Sequence, residues 1–183
     1  MREISDKHLP AGTGYRAPRV LRAVSAVATV SLSPAVLAAH WLGHRHVTRR
    51  VIDAFPPEQL FTYRPVDTLR SFGEMAWELV GQTGYTLDGL LDGQWGAPTW
   101  NPLPGTEKPG LLSAWDAQTA RIESGLPGVP ADLFGRTLEL AWGEMLTFTA
   151  VIGAIDNEIH HRGQGMIYLR ELGLTPPDFW ERA

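Results

Sequence analysis

The chain of 183 residues contains no cysteine. That excludes disulfides, thiolate metal ligation and a cysteine nucleophile, and leaves any chemistry to imidazole, carboxylate and amide groups. It also lacks a long Lys/Arg run: 16 basic against 20 acidic residues give a formal charge of -4. Phosphate backbones attract the opposite sign, so direct nucleic-acid binding is disfavoured. No apolar stretch approaches the roughly 20 residues that cross a bilayer as a helix, and no membrane span is expected. Internal repeats are absent. So is the simplest histidine metal spacing, because in DNEIHHRGQ (156–164) the residue four before His161 is Asn157.

What is present fits one globular domain. A 44% apolar content with 14 prolines and 19 glycines describes a single core carrying substantial loops. At the N-terminus, Arg16, Arg19 and Arg22 precede the apolar run AVSAVATVSL and the small residues before Ala39, which resembles a secretory signal. Ser25, Thr29 and Ser31 interrupt that run. Residues 1–34 are therefore expected to be an N-terminal extension, flexible or signal-like, on a cytoplasmic protein, with export the minority reading.

From Pro34 the pattern is helical. Val36, His40, His44, Val47, Val51 and Phe55 recur at three- and four-residue steps until Pro56-Pro57. EQLFTYRPVDTLR reads as an irregular connector. Ser71, with Glu74 three residues on, predicts a capping box for a second helix to about Leu91, burying Phe72, Met75, Ala76, Leu79, Thr83 and Leu90. The Gly-, Pro- and Trp-rich segment DGQWGAPTWNPLPGTEKPG is a long structured loop of the kind that roofs a site. A third helix is expected over about 110–124 and a short extended piece at RTLELAW. The last helix should run from about Thr147 to Leu172, stopped by Gly173 and Pro176-Pro177.

On a wheel of about 100° per residue, this last helix carries Phe148, Val151, Ile152, Ala154, Ile155, Ile159, Met166, Leu169 and Leu172 on a broad apolar arc. Glu158 and Arg162 fall inside the arc and are expected to pair there. His161 lies at its edge, as a satisfied core histidine or a ligand. His160 lies on the polar back, four residues after Asp156, and is expected to pair with it at the surface. Ile167 on that back hints at a homodimer. His40 and His44 read as surface or packing residues, while His46 and His8 add little. Trp95, Trp100 and Tyr168 are candidates to line an apolar mouth.

DNEIHHRGQGMIYLRELGLTPPDF resembles the C-terminal signature of the DinB-like superfamily, in which H-x-x-x-H-R-G-Q runs into YLR-x-LG-x-x-PP. RRVIDAFPPEQLFTYRPVDTLRSFGEMA is similar to the end of that family's first helix, its connector and the start of its second. The resemblance covers roughly residues 35–183. It implies an all-α, up-down-down-up four-helix bundle with a divalent metal commonly held by three histidines. Here the matching positions are Glu78, Asn157 and His161.

Two accounts of those residues stay open. In one, Glu78, Asn157 and His161 ligate a divalent ion (zinc, nickel, manganese or magnesium), oxygen donors favouring the harder ions. In the other, the metal is gone and Glu78 accepts hydrogen bonds from His161 or Asn157. The resemblance implies an enzyme of small-molecule or stress metabolism: a metal-assisted S-transferase using a low-molecular-weight thiol as cosubstrate, or a hydrolase. Glu78 and His161 are its catalytic candidates, Glu78 as general base and Asn157 orienting a small-molecule substrate. The alternative is a non-catalytic bundle that binds a ligand or dimerises.

Overall fold

The computed structural model of the chain describes residues 32–98 and 104–182. Five helices follow one another: α1 (Pro34–Ala54), the single turn α2 (Pro57–Leu60), α3 (Phe72–Asp92), α4 (Lys108–Gly125) and α5 (Thr147–Glu171). Between α4 and α5 come two 3₁₀ turns and a hairpin of β1 (Thr137–Leu140) and β2 (Gly143–Leu146). Most of the expected N-terminal extension, and Trp100, fall outside the described residues. Among those described, no helix is long and apolar enough to cross a membrane.

Local chemistry sets the helix ends. Ser33 accepts from the Val36 amide at 3.2 Å with Pro34 in the first turn of α1. The capping box of α3 is complete: the Glu74 amide donates to Ser71 Oγ and the Ser71 amide to Glu74 Oε2 at 2.7 Å. Beyond α5, Gly173 adopts φ +77°, letting the Leu174 amide close on the Leu169 carbonyl at 2.8 Å.

Side-chain pairs fix the directions of the four long helices. Arg49 of α1 meets Asp116 of α4, and Lys108 at the start of α4 reaches the Phe55 carbonyl just beyond α1, so these two run antiparallel. On α3 and α4, Gly84 faces Gln118 and Leu91 faces Gly125, hence parallel. Asn157 meets Gln82 while Gly165 meets Phe72, which makes α5 antiparallel to α3. Trp41 touches Glu158 and Thr48 touches Arg162, so α5 is parallel to α1. The result is the up-down-down-up bundle. At its tightest crossing a Cβ on Gly165 would sit 2.4 Å from the Phe72 ring, so only glycine lets α5 approach α3 this closely, one turn beyond His161.

All six residues of the expected α3 stripe are buried. On α1, His44, Val47, Val51 and Phe55 are buried, but Val36 and His40 are exposed; Leu37, Ala38 and Trp41 are buried instead. Each four-residue step drifts about 40° around a helix of 3.6 residues per turn, so a stripe spaced by fours leaves the packed face. On α5, Phe148 and Ile159 are each 37% exposed, against expectation. That helix packs on α1 and α3 but lies diagonal to α4, so its buried arc is narrower than its apolar one. RTLELAW forms β1 and the turn of an antiparallel hairpin whose second strand, β2, was not expected; Glu139 and Glu144 stand opposite each other in it.

Two apolar clusters divide the core. One gathers Val51, Phe55, Phe72, Leu79, Trp115 and Leu169, the other Leu37, Trp41, Leu87, Ile122, Val151 and Ile155. Between these sets α1 and α5 bury six polar residues: His44, Arg45, Thr48, Glu158, His161 and Arg162.

Candidate functional site

Asn157–His161 and Glu158–Arg162 are two i,i+4 pairs displaced by one residue on α5. About 100° of rotation sends them to different neighbours. Asn157 and His161 face α3, while Glu158 and Arg162 face α1.

On the α3 side, Glu78, Asn157 and His161 do converge. Asn157 Nδ2 donates to Glu78 Oε1 at 3.1 Å, and His161 Nε2 lies 3.3 Å from the same oxygen. Three groups not anticipated from the sequence complete the arrangement. Arg70, in the connector before α3, forms an ion pair with Glu78 Oε2 and places Nη2 3.4 Å from His161 Nε2. Its backbone carbonyl accepts from the Tyr168 hydroxyl at 3.3 Å, tying the connector to α5. Gln82, one turn along α3 from Glu78, accepts from Asn157 Nδ2 at 2.8 Å. Gln164 Oε1 lies 2.9 Å from His161 Nδ1. Burial alone would raise the Glu78 carboxyl, but hydrogen bonds from Arg70 and Asn157 and the charges of Arg70 and His161 outweigh it, holding the carboxyl below its ordinary range. Glu78 is therefore a carboxylate at neutral pH, an acceptor on both oxygens.

This donor set does not fit the divalent ion that the resemblance implies. A metal between Glu78 and His161 would stand against the Arg70 guanidinium, which already neutralises the carboxylate and sits beside the ring nitrogen it would need. Asn157 turns its N–H groups, not its carbonyl, toward Glu78 and Gln82. Among the described residues no three His, Cys, Asp or Glu side chains cluster to hold an ion.

On the α1 side the expected Glu158–Arg162 ion pair is replaced. Glu158 lies 3.8 Å from Arg45 and accepts from Thr48 Oγ1 at 2.6 Å and Trp41 Nε1 at 3.3 Å. Arg162 instead donates to the His44 carbonyl, Thr48 Oγ1 and His44 Nδ1. A residue from another helix, Arg45, thus supplies the counter-charge. Its guanidinium stacks 3.3 Å above the Trp115 ring and bonds Thr83, Thr119 and the Trp115 carbonyl. Burial pushes the Glu158 carboxyl up and the Arg45 guanidinium down, as desolvation outweighs their attraction. His44 is lowered to about 4, first by burial and then by the charges of Arg162, Arg182 and His40.

The remaining candidates scatter. His160 is exposed as expected, but its ring lies edge-on to His161 at 5.0 Å and makes no ion pair with Asp156 among the described residues. His40 packs edge-on against His44, and His46 is exposed. Ile167 is 56% exposed. Tyr168 is buried, and Trp95 packs over Gly89 and against Tyr85, so neither forms a mouth over Glu78. Trp77 Nε1 donates to the Gly105 carbonyl, which ties the long loop to α3.

A cavity of about 340 Å³ opens beside the polar cluster, bounded by Gln82, Tyr85 and Thr86 of α3, by Trp142 and Met145 of the hairpin, and by Thr149, Ala150 and Gly153 of α5. Gln82 belongs to both. The Tyr85 and Trp142 rings are 5.8 Å apart and inclined at 51°.

The family model that matches residues 27–182 describes the DinB family. The uncharacterized protein YjoA of Bacillus subtilis is 25% identical over 151 residues, which cover 80% of this chain and 95% of that protein. A crystal structure of that DinB-like protein superimposes with a TM-score of 0.66 and 22% identity over 80% of this chain and 99% of that one. A DinB-like protein from Bacillus cereus gives 0.63 and 19%, over 78% and 95%.

Proposed function

This chain belongs to the DinB family, and from that premise we propose that it is a small-molecule-binding member that works without a divalent ion. In this reading the Arg70–Glu78 ion pair supplies the charge at the centre. The observation that carries it is the Arg70 guanidinium in contact with both Glu78 and His161, at the positions where the family resemblance implies metal ligands.

Such a centre can do polar chemistry with its own groups. Arg70, 41% exposed, can receive an anionic or carbonyl oxygen, since its guanidinium keeps donors beyond those it spends on Glu78. His161 touches both charges through Nε2, while Gln164 orients its Nδ1. Glu78, held below the ordinary carboxylate range, serves as the fixed negative partner rather than as a strong base.

Elemental analysis and calorimetric titration of the purified chain with zinc, nickel and manganese test the reading. Wild type is expected to carry no stoichiometric ion, and Arg70→Ala, which frees Glu78 and His161, to bind divalent ions more tightly than wild type. A stoichiometric ion in wild type that is lost in both Glu78→Ala and His161→Ala would restore the metal-dependent transferase or hydrolase expected from the resemblance.

A further inference from the structure

The hydrogen bonds of the polar cluster run in one direction, and that direction reaches the cavity. Because Glu78 is ionised it can only accept, so Asn157 must turn its amide nitrogen toward it. The second hydrogen of that nitrogen points to Gln82, which must therefore present Oε1. The Gln82 oxygen is thereby turned toward Asn157, and its Nε2 makes no hydrogen bond among the described residues. Gln82 also lines the cavity, and with its oxygen turned to Asn157 its Nε2 is the donor it can offer a ligand there.

The rest of the wall is neutral. Every lining residue is uncharged, two are aromatic and one is methionine. A charged ligand would leave water without a counter-ion, a cost of several kcal/mol by general transfer energies. An apolar ring loses nothing of that kind and gains contact with Tyr85, Trp142 and Met145. Thr86 Oγ1 already donates to the backbone carbonyl of Gln82.

We propose that this cavity is a binding site for a small uncharged carbonyl compound, such as an aryl or alkyl ketone or amide, with its apolar body under the hairpin and its oxygen on Gln82 Nε2. The proposal rests on the reading of the chain as a small-molecule binder, and deepens it by naming the ligand class. Selectivity then depends on the Glu78–Asn157–Gln82 chain: Glu78 holds Asn157, Asn157 holds Gln82, and Gln82 rejects ligands without an acceptor. Asn157 and Gln82 are in this sense positioning and specificity residues of the cavity.

Methionine methyl NMR of the full chain reads this directly, since Met145 is one of only four methionines and lines the cavity. Acetophenone, its oxygen-free analogue ethylbenzene and the anion benzoate are titrated in the presence of a chelator. Acetophenone is expected to shift the Met145 methyl saturably and to bind about tenfold tighter than ethylbenzene, the ratio that one well-made hydrogen bond gives. Benzoate should be the weakest. Gln82→Leu should reduce acetophenone to the level of ethylbenzene, and Asn157→Leu, which frees Gln82 to rotate, should narrow the gap.

Gly153 offers a way to close the site, because a Cβ there meets nothing within 4 Å. Gly153→Phe should abolish both neutral probes, with Ala150→Leu as a second filling variant should the first fail to fold. The proposal is overturned if benzoate binds at least as tightly as acetophenone, if Gln82→Leu leaves the ratio of the neutral probes unchanged, or if no probe moves Met145. A tightly bound metal found in the absence of chelator would sink the metal-free reading without altering these shifts.

Discussion

The two polar clusters that α5 sends to its neighbours differ in how completely they are satisfied. Toward α1, Glu158 and Arg45 are 1% and 0% exposed; Glu158 accepts from Trp41 and Thr48, and Arg45 donates to Thr83, Thr119 and the Trp115 carbonyl. Toward α3, the Arg70 side chain is 41% exposed and the Gln82 amide nitrogen makes no hydrogen bond among the described residues. A buried network whose charged groups bond one another and their neighbouring helices specifies packing. An open one with spare donors beside a cavity leaves polar groups that the proposed ligand would use. Sequence neighbours on a single helix therefore have opposite roles, decided by which helix they meet.

The largest effect that can break this contrast is on the sealed side. Glu158→Ala leaves Arg45 and Arg162 buried without a counter-charge and should cost about 3–5 kcal/mol in urea unfolding. If it costs no more than His161→Ala, the sealed cluster is not the structural one.

Acid should act through the same cluster. His44 has a folded pKa of about 4 against an ordinary 6.5, so between those values the unfolded chain binds the proton that the native chain refuses. Stability is intact above 6.5 and falls as pH drops toward about 4, by roughly 3 kcal/mol at most. Urea midpoints at pH 7 and 4.5 should differ less in His44→Gln than in wild type; equal differences would remove His44 from the account.

Thr48→Val sharpens the comparison further. It deletes the hydroxyl shared by Glu158 and Arg162, and a loss of about 1–3 kcal/mol is expected, because both charges stay buried. The smallest effect belongs to the open side. Arg70→Ala should shift the unfolding free energy by about 1 kcal/mol or less, since a half-exposed ion pair contributes little. A loss as large as that of Glu158→Ala would mean that the open cluster is structural too.

Much of the fold was legible locally. Ser71 with Glu74, the Pro56-Pro57 stop and Gly173 set helix ends through bonds within a few residues, which a sequence displays directly. The inward α3 stripe followed from periodicity alone. Convergence of Glu78, Asn157 and His161 came through the family resemblance, which carries tertiary information in motif form. Gln82 and Gln164 were within reach, one turn from Glu78 and His161 respectively. Arg70 was not, because a helical wheel says nothing about a side chain reaching back from the connector that precedes the helix. The pairing of Glu158 with Arg45 rather than Arg162 was hidden for the same reason: i,i+4 spacing permits a pair, but a cation on a facing helix competes for it.

By itself the sequence determined the four long helices, the α3 capping box, the stop of α5, the buried face of α3 and the absence of thiol chemistry, because those depend on composition or on residues within a turn or two of each other. Only the tertiary structure decided which charge neutralises which, and that Gln82 turns its oxygen to Asn157 beside a cavity. Those outcomes depend on distances between helices, where burial and the number of available partners determine which hydrogen bond forms.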